Sequence, residues 1–196
     1  MVFFMDLKYK VIDNKYINIK QVIKNEFNIS SRLFIKLRNE GHVFLNGKIA
    51  SCIENLALND VVMIDLSFIE DSSNIVSTKM DINILFEDEY MLIVNKPAGI
   101  AVHPSILHYN TSLSNGVKYY FDTIDLHRKI RIVNRLDRNT SGIVIFAKNE
   151  YIQECLTYQM KTKEFKKEYI GVLEGILDKK SGTINAKIAR KERQHY

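Results

Sequence analysis

From residue 134 the chain reads Asn-Arg-Leu-Asp-Arg-Asn-Thr-Ser-Gly and then Ile-Val-Ile-Phe-Ala, ending at Ala147. A polar, charged stretch therefore climbs directly into five apolar residues, most of them β-branched or aromatic. That run is too short for a helix and suits a strand covered on both faces. Gly142 stands at the junction, where a turn or a close backbone approach is easiest for a residue without a side chain. Asp137 is thus expected on a rigid loop at a strand entrance, with Arg135 and Arg138 to either side. Between two cations its carboxylate stays ionised, which suits a nucleophile or a structural ion pair and not a general acid. Loop ion pairs are common and mostly without function, so the rest of the chain has to decide between those two readings.

Upstream, residues 5–13 read as an edge strand of mixed polarity. Ile19, Val22, Ile23 and Phe27 then recur at helical spacing with Asn18 as N-cap. A second helix follows, capped by Ser30 or Ser31, with Leu33 and Leu37 inward and Gly41 as its stop. Val43-Phe44-Leu45, Asn46-Gly47 and Lys48-Ile49 predict a hairpin, since both turn residues accept positive φ. Val61 to Ile64 forms another strand. Residues 67–81, with Glu70-Asp71-Ser72-Ser73-Asn74, read as a linker too polar for burial.

Ile84-Leu85-Phe86 and Tyr90 to Val94 predict a hairpin of two buried strands joined at Glu87-Asp88-Glu89. It leads into Asn95-Lys96-Pro97-Ala98-Gly99, where Pro97 and Gly99 force a turn. A helix over Ser112 to Phe121 and a strand over Ile130 to Val133 bring the chain to the Asp137 loop. After it, Asn149 caps a helix with Ile152, Cys155, Leu156 and Met160 on its apolar side. The last predicted strand is Tyr169 to Leu173.

At 196 residues, 46% of them hydrophobic, the chain holds one medium domain or one small domain and part of another. Lys and Arg exceed Asp and Glu by 28 to 23, a net +5 that favours a polyanionic partner without requiring one. Cys52 and Cys155 fit no metal or redox spacing and read as reduced thiols. The first residues are too short for a signal-peptide core, and no apolar run reaches membrane length. The expected compartment is the cytoplasm, with no membrane partner. No Gly-rich phosphate loop, His/Cys cluster or ligand pair at helical spacing suggests a cofactor or a metal.

Arg135-Leu136-Asp137, then Thr140-Ser141-Gly142, the apolar run, Ala147 and Lys148 together resemble the central motif of the RluA-type RNA pseudouridine synthases. Position 134, usually His in that family, is Asn here. Glu87-Asp88 followed by Lys96-Pro97-Ala98-Gly99 and His103-Pro104 resembles the first family motif, and Lys167-Glu168-Tyr169 with Gly175 resembles the third. The resemblance implies that Asp137 is the catalytic aspartate and that Tyr169 lies against the target base. Arg135, it implies, fills the space the extruded base vacates and holds the backbone. It gives His103 no acid-base role and implies no cofactor.

Residues 16–66, helix, helix and hairpin, resemble the αL-type RNA-binding domain of a ribosomal small-subunit protein. Lys20, Arg32, Lys36, Arg38 and Lys48 would then meet phosphates. The expected class is α+β. It has a helix-helix-hairpin RNA-binding domain over 1–66, a linker over 67–81, and a mixed, mainly antiparallel catalytic domain over 82–196. The expected partner is RNA, ribosomal RNA first and transfer RNA as the alternative.

One family element is not found: the later motif whose arginine pairs with the aspartate. The expectation is a catalytic domain cut short at its C-terminal end and poorly active, with Arg190 or Arg193 as partial substitutes. The competing reading is a non-catalytic RNA-binding remnant. A carboxylate-nucleophile hydrolase is weaker still, because no His or second carboxylate is placed to activate water.

Overall fold

The computed structural model describes residues 5–162 and 164–187. The chain divides into two compact units, Met1–Phe165 and Lys166–Tyr196. The larger unit holds two antiparallel four-stranded sheets, each with its own apolar core.

The first sheet comprises β1 (Asp6–Lys10), β2 (Val43–Leu45), β3 (Lys48–Ile49) and β4 (Val61–Asp65) in the order β1-β4-β2-β3. Helices α1 (Ile19–Asn25) and α2 (Ser31–Asn39) stand between β1 and β2 in the chain. Their N-caps are Asn18 and Ser30, whose side chains accept from the backbone of Gln21 and Leu33. Ile19, Val22, Ile23, Leu33 and Leu37 are fully buried with Val43, Val62 and Ile64, so the helical and strand periodicities converge on one core. The β2–β3 turn has φ of 50° at Asn46 and 78° at Gly47, the left-handed pair a tight hairpin requires. The predicted first strand is real but shorter, ending at Lys10 where its ladder with β4 stops.

The second sheet comprises β5 (Asn83–Glu87), β6 (Met91–Lys96), β7 (Arg131–Ile132) and β8 (Gly142–Ala147), ordered β5-β6-β8-β7. Helix α3 (Leu113–Thr123) covers one face. Val117 and Phe121, four apart, meet Leu92 and Val94 of β6 and Val144 and Phe146 of β8. Helix α4 (Glu150–Lys161), capped by Asn149 as predicted, packs against β8 and β7. From Val144 onward β8 is buried on both faces, whereas Ile143 is exposed. β5 differs from expectation. It is the sheet edge, and Leu85 and Phe86 are about half exposed because only one neighbour flanks them.

Two further expectations are corrected. The segment after β4 is no free linker: Ile75 is buried and the Glu70 side chain is only 4% exposed. A carboxylate survives there because cations from the folded body meet it. In the smaller unit, residues 166–187 form neither helix nor strand. Tyr169 is 64% exposed, and Ile170 and Val172 are completely so. The strand expected at 169–173 has no ladder partner among the described residues, and an apolar run alone does not make a strand. Arg190 and Arg193 lie outside the described residues.

Candidate functional site

The Asp137 loop spans the gap between β7 and β8, and alternate residues along it face in opposite directions. Leu136 packs against the second core, whereas Arg135, Asp137, Arg138 and Asn139 are exposed. Thr140 N–H donates to Asp137 O at 3.1 Å and tightens the turn. Gly142 has φ of 125°, which side chains rarely adopt, so a glycine is required where the loop becomes strand.

The loop is fastened to the Lys96–Gly99 turn by a compact set of bonds. Gly99 N–H donates to Arg138 O at 2.8 Å, and Arg138 Nε donates back to Gly99 O at 2.9 Å. Lys96 is fully buried, and its ammonium donates to Pro97 O at 2.9 Å, Ile100 O at 2.8 Å and Arg138 O at 3.0 Å. Three carbonyls use all three protons of an ammonium. Burial pushes the Lys96 pKa below the ordinary lysine value. The next segment is held as well: Leu113 N–H and Ser114 N–H donate to Ala101 O and Val102 O, which ties the start of α3 to this turn.

The Asp137 carboxylate itself is the open point. Among the described residues no hydrogen bond or ion pair reaches it. Arg135 and Arg138 do not pair with it within 4.0 Å, and Arg138 spends its Nε on Gly99. The expectation that its flanking cations hold it as counter-ions is therefore corrected, and the reading of a structural loop ion pair goes with it.

At the other end of β8, where Arg131 lies opposite Ala147, stands a second charged cluster that the sequence did not reveal. Glu70 forms a bidentate pair with Arg131, at 2.5 Å to both Nη1 and Nη2. Lys36 Nζ lies 3.4 Å from Glu70 Oε1 and 3.0 Å from Glu150 Oε2, and 4.9 Å above the Phe68 ring centre. Glu154, one turn after Glu150, accepts from Ser30 Oγ at 2.5 Å. Burial by itself would push the Glu70 carboxyl up, but the hydrogen bonds and charge of Arg131, with Lys36 behind, hold it below the usual carboxylate range. Nothing in a Glu-Asp-Ser-Ser run signals this, because the partners lie 34 to 61 positions away.

The five cations expected to meet phosphates divide accordingly. Lys20, Arg32, Arg38 and Lys48 are exposed. Lys36 differs from them: it is half-buried, and its ammonium is turned to the carboxylates of Glu70 and Glu150. A cleft of about 1270 Å³ opens between α2 and α4, lined by Arg32, Lys36, Arg131, Gln153 and Lys161, and Asp137 is not on its wall. His103 is exposed at the rim of the same cleft. Among the described residues no group of His, Cys, Asp and Glu could hold a metal ion, and no helix is long and apolar enough to cross a membrane.

The chain is similar to several bacterial proteins. It is 42% identical over 136 residues to the uncharacterised RNA pseudouridine synthase YhcT of Bacillus subtilis, covering 69% of this chain and 44% of that one. It is 33% identical over 179 residues to the ribosomal large subunit pseudouridine synthase D of Borreliella burgdorferi, covering 86% and 54%. The chain thus spans about half the length of the curated relatives it matches. Against the human RNA pseudouridylate synthase domain containing 4, the TM-score is 0.36 over 42% of this chain and 30% of that one at 19% identity, too slight to fix fold or site. The family described as RNA pseudouridylate synthase matches residues 90–196, which hold the Lys96 turn, the Asp137 loop and β8. On that match this chain belongs to the RNA pseudouridylate synthase family.

Proposed function

We propose that this chain isomerises uridine to pseudouridine in structured RNA, with Asp137 as the reacting carboxylate. The observation that carries the reading is an exposed carboxylate with no partner among the described residues, at the family's motif position, on a loop anchored through Asn134 and Arg138. In the reaction the bond from ribose C1′ to uracil N1 breaks, the base turns, and C1′ joins C5. The C5 proton is lost and N1 gains one, so atoms and electrons balance without an oxidant or reductant. Asp137 acts either by adding to the sugar or by removing a proton from it.

The base must leave its stack, at a cost of a few kcal/mol. Arg135, exposed beside Asp137, is suited to fill the vacated space. Tyr169 offers an aromatic face to the base, a contact worth about 1–3 kcal/mol. We read residues 1–66 as the αL-type RNA-binding domain, 67–81 as its connection and 82–196 as the catalytic domain. Lys20, Arg32, Arg38 and Lys48 then meet phosphates. Ribosomal RNA is the first substrate to test, on the strength of the relative named for the large ribosomal subunit.

The second reading, RNA binding without turnover, is favoured by one observation: Tyr169 is exposed on an irregular segment and not on a strand. Transcripts of ribosomal and transfer RNA incubated with the protein, then mapped by carbodiimide-induced reverse-transcription stops, separate the two. A new stop at a single uridine supports isomerisation. Salt-dependent binding with no new stop, equal for wild type and Asp137→Ala, overturns it in favour of the second reading.

A further inference from the structure

The Asp137 loop leaves the second sheet where a strand has run out. β7 pairs with β8 at Arg131 opposite Ala147 and Ile132 opposite Phe146, and Val133 N–H still donates to Ile145 O at 2.9 Å. Beyond Val133 the backbone departs, while β8 continues back toward Gly142. Ile145 N–H and Ile143 C=O are then left facing the gap. The Asn134 side chain closes it. Its Oδ1 accepts from Ile145 N at 2.9 Å, and its Nδ2 donates to Ile143 O at 2.9 Å.

A carboxamide has the donor and acceptor of a peptide group in one plane, so it adds a rung to the ladder where no backbone is available. Few side chains can do this. Alanine leaves both groups open, and aspartate keeps the acceptor but sets a negative oxygen against Ile143 O.

The consequence falls on Asp137. Asn134 fixes the loop's entry, and Arg138, through Gly99 and Lys96, fixes its exit. Between them Leu136 is pinned to the core, so Asp137 hangs from a short span held at both ends. We propose that Asn134 is the positioning residue of this loop, its amide standing in for the missing length of β7 and setting where the Asp137 carboxylate is presented. The proposal rests on Asp137 being the reacting group.

The test uses the full chain with N134A and N134D, read by amide hydrogen exchange and by single-turnover isomerisation with RNA affinity measured alongside. In N134A the Ile145 amide is expected to exchange at least about tenfold faster and the Asp137 amide resonance to shift. Its turnover should fall about tenfold or more while the RNA Kd stays within about twofold, the mark of lost orientation and not of lost binding. N134D keeps the acceptor, so it should restore Ile145 protection and only part of the turnover. A merely structural asparagine would lower thermal stability without splitting rate from affinity.

Unchanged Ile145 exchange in N134A overturns the proposal, as does wild-type turnover in that variant. If N134A does not fold, N134D decides: wild-type turnover there overturns the proposal. If wild type makes no pseudouridine, the proposed function fails, and the anchor stands or falls on the Ile145 exchange and the Asp137 shift.

Discussion

Glu70 and Asp137 are two carboxylates at opposite ends of β8. The register sets Arg131, the partner of Glu70, against Ala147, and the Asp137 loop enters at Gly142. Six residues of strand place roughly 17 Å between the two ends. Glu70 is buried and over-supplied with partners: a bidentate guanidinium, an ammonium and the Lys129 backbone N–H. Asp137 is exposed, and none of the described residues bonds to its carboxylate. A carboxylate whose needs are met inside the fold serves the fold. One left unmet, on a loop this heavily tied, is available to a substrate. The contrast predicts opposite responses to substitution.

The largest effect is expected at Asp137. Asp137→Asn keeps the shape and removes the charge and nucleophilicity, so isomerisation should fall below detection, a loss of at least about 4 kcal/mol at the barrier, or a thousandfold. Because no hydrogen bond or ion pair among the described residues depends on that carboxylate, the melting temperature and RNA affinity should stay at wild-type values. Turnover, calorimetry and filter binding on one preparation check all three. Retained turnover would remove Asp137 from the chemistry, and a large drop in melting temperature would make it a second Glu70.

Glu70→Gln and Arg131→Met should do the reverse. Breaking a buried pair strands the remaining charge and costs about 3–5 kcal/mol, so urea unfolding should shift strongly. The double replacement Glu70→Leu with Arg131→Met should cost much less than the sum of the single losses, because no charge is left stranded. The pH dependence has a definite sign. Glu70 is held below its ordinary range in the folded protein, so its contribution is fully present above the unfolded value of about 4.3 and disappears as pH falls through the lower folded value. Wild type minus Glu70→Gln stability should therefore be flat from pH 7 to about 5 and shrink below about 4. A difference that grows on acidification would mean that burial, not Arg131, governs the group.

The two ends also differ in how far the sequence exposed them. Most secondary elements were legible because they obey local rules: Asn18, Ser30 and Asn149 as caps, Asn46-Gly47 as a turn, Leu33 and Leu37 at helical spacing. The Asp137 loop was legible for a related reason, since its residues are contiguous and end in a strand. Glu70 was not, because burial of a charge is decided by groups far along the chain. The ion pairs of Lys36 were hidden on the same ground: Arg32 and Lys36 lie four apart on α2, but spacing says nothing of the carboxylates of Glu70 and Glu150. Tyr169 shows the complementary failure, an apolar run read as a strand where no partner strand stands among the described residues.

Lys96 tests whether the open end is held as rigidly as its bonds suggest. Lys96→Met fills similar space but leaves the carbonyls of Pro97 and Ile100 without their donor. The stability loss should be about 2 kcal/mol, below that of Arg131→Met, because the cost of burying an ammonium is removed at the same time. Isomerisation should drop further than stability accounts for, since Arg138 O loses one of its two restraints on the Asp137 loop. Turnover measured well below the melting transition separates the two effects. A variant with lower stability but wild-type turnover would show that Gly99 and Asn134 hold the loop without it.

The smallest effects are expected on the helix-hairpin face, and they sharpen the contrast at the level of cations. Arg38 is exposed, and among the described residues its side chain bonds only to that of the neighbouring Asn39, so it can neutralise a phosphate at little cost to the fold. Lys36 is committed to Glu70 and Glu150. Arg38→Gln should therefore weaken RNA binding a fewfold and flatten the plot of log affinity against log salt by about 0.7–0.9, the contribution of one phosphate contact. Its unfolding should stay within about 0.5 kcal/mol of wild type, as for other exposed substitutions. Lys36→Gln should leave the salt slope unchanged and lower stability instead, because two buried or half-buried carboxylates lose a cation. Titrations of one RNA at three salt concentrations, beside urea melts of both variants, read the two quantities separately. A salt slope that falls for Lys36→Gln and not for Arg38→Gln would mean that the carboxylate cluster opens when RNA binds, and that a satisfied charge is no guide to a structural role in this protein.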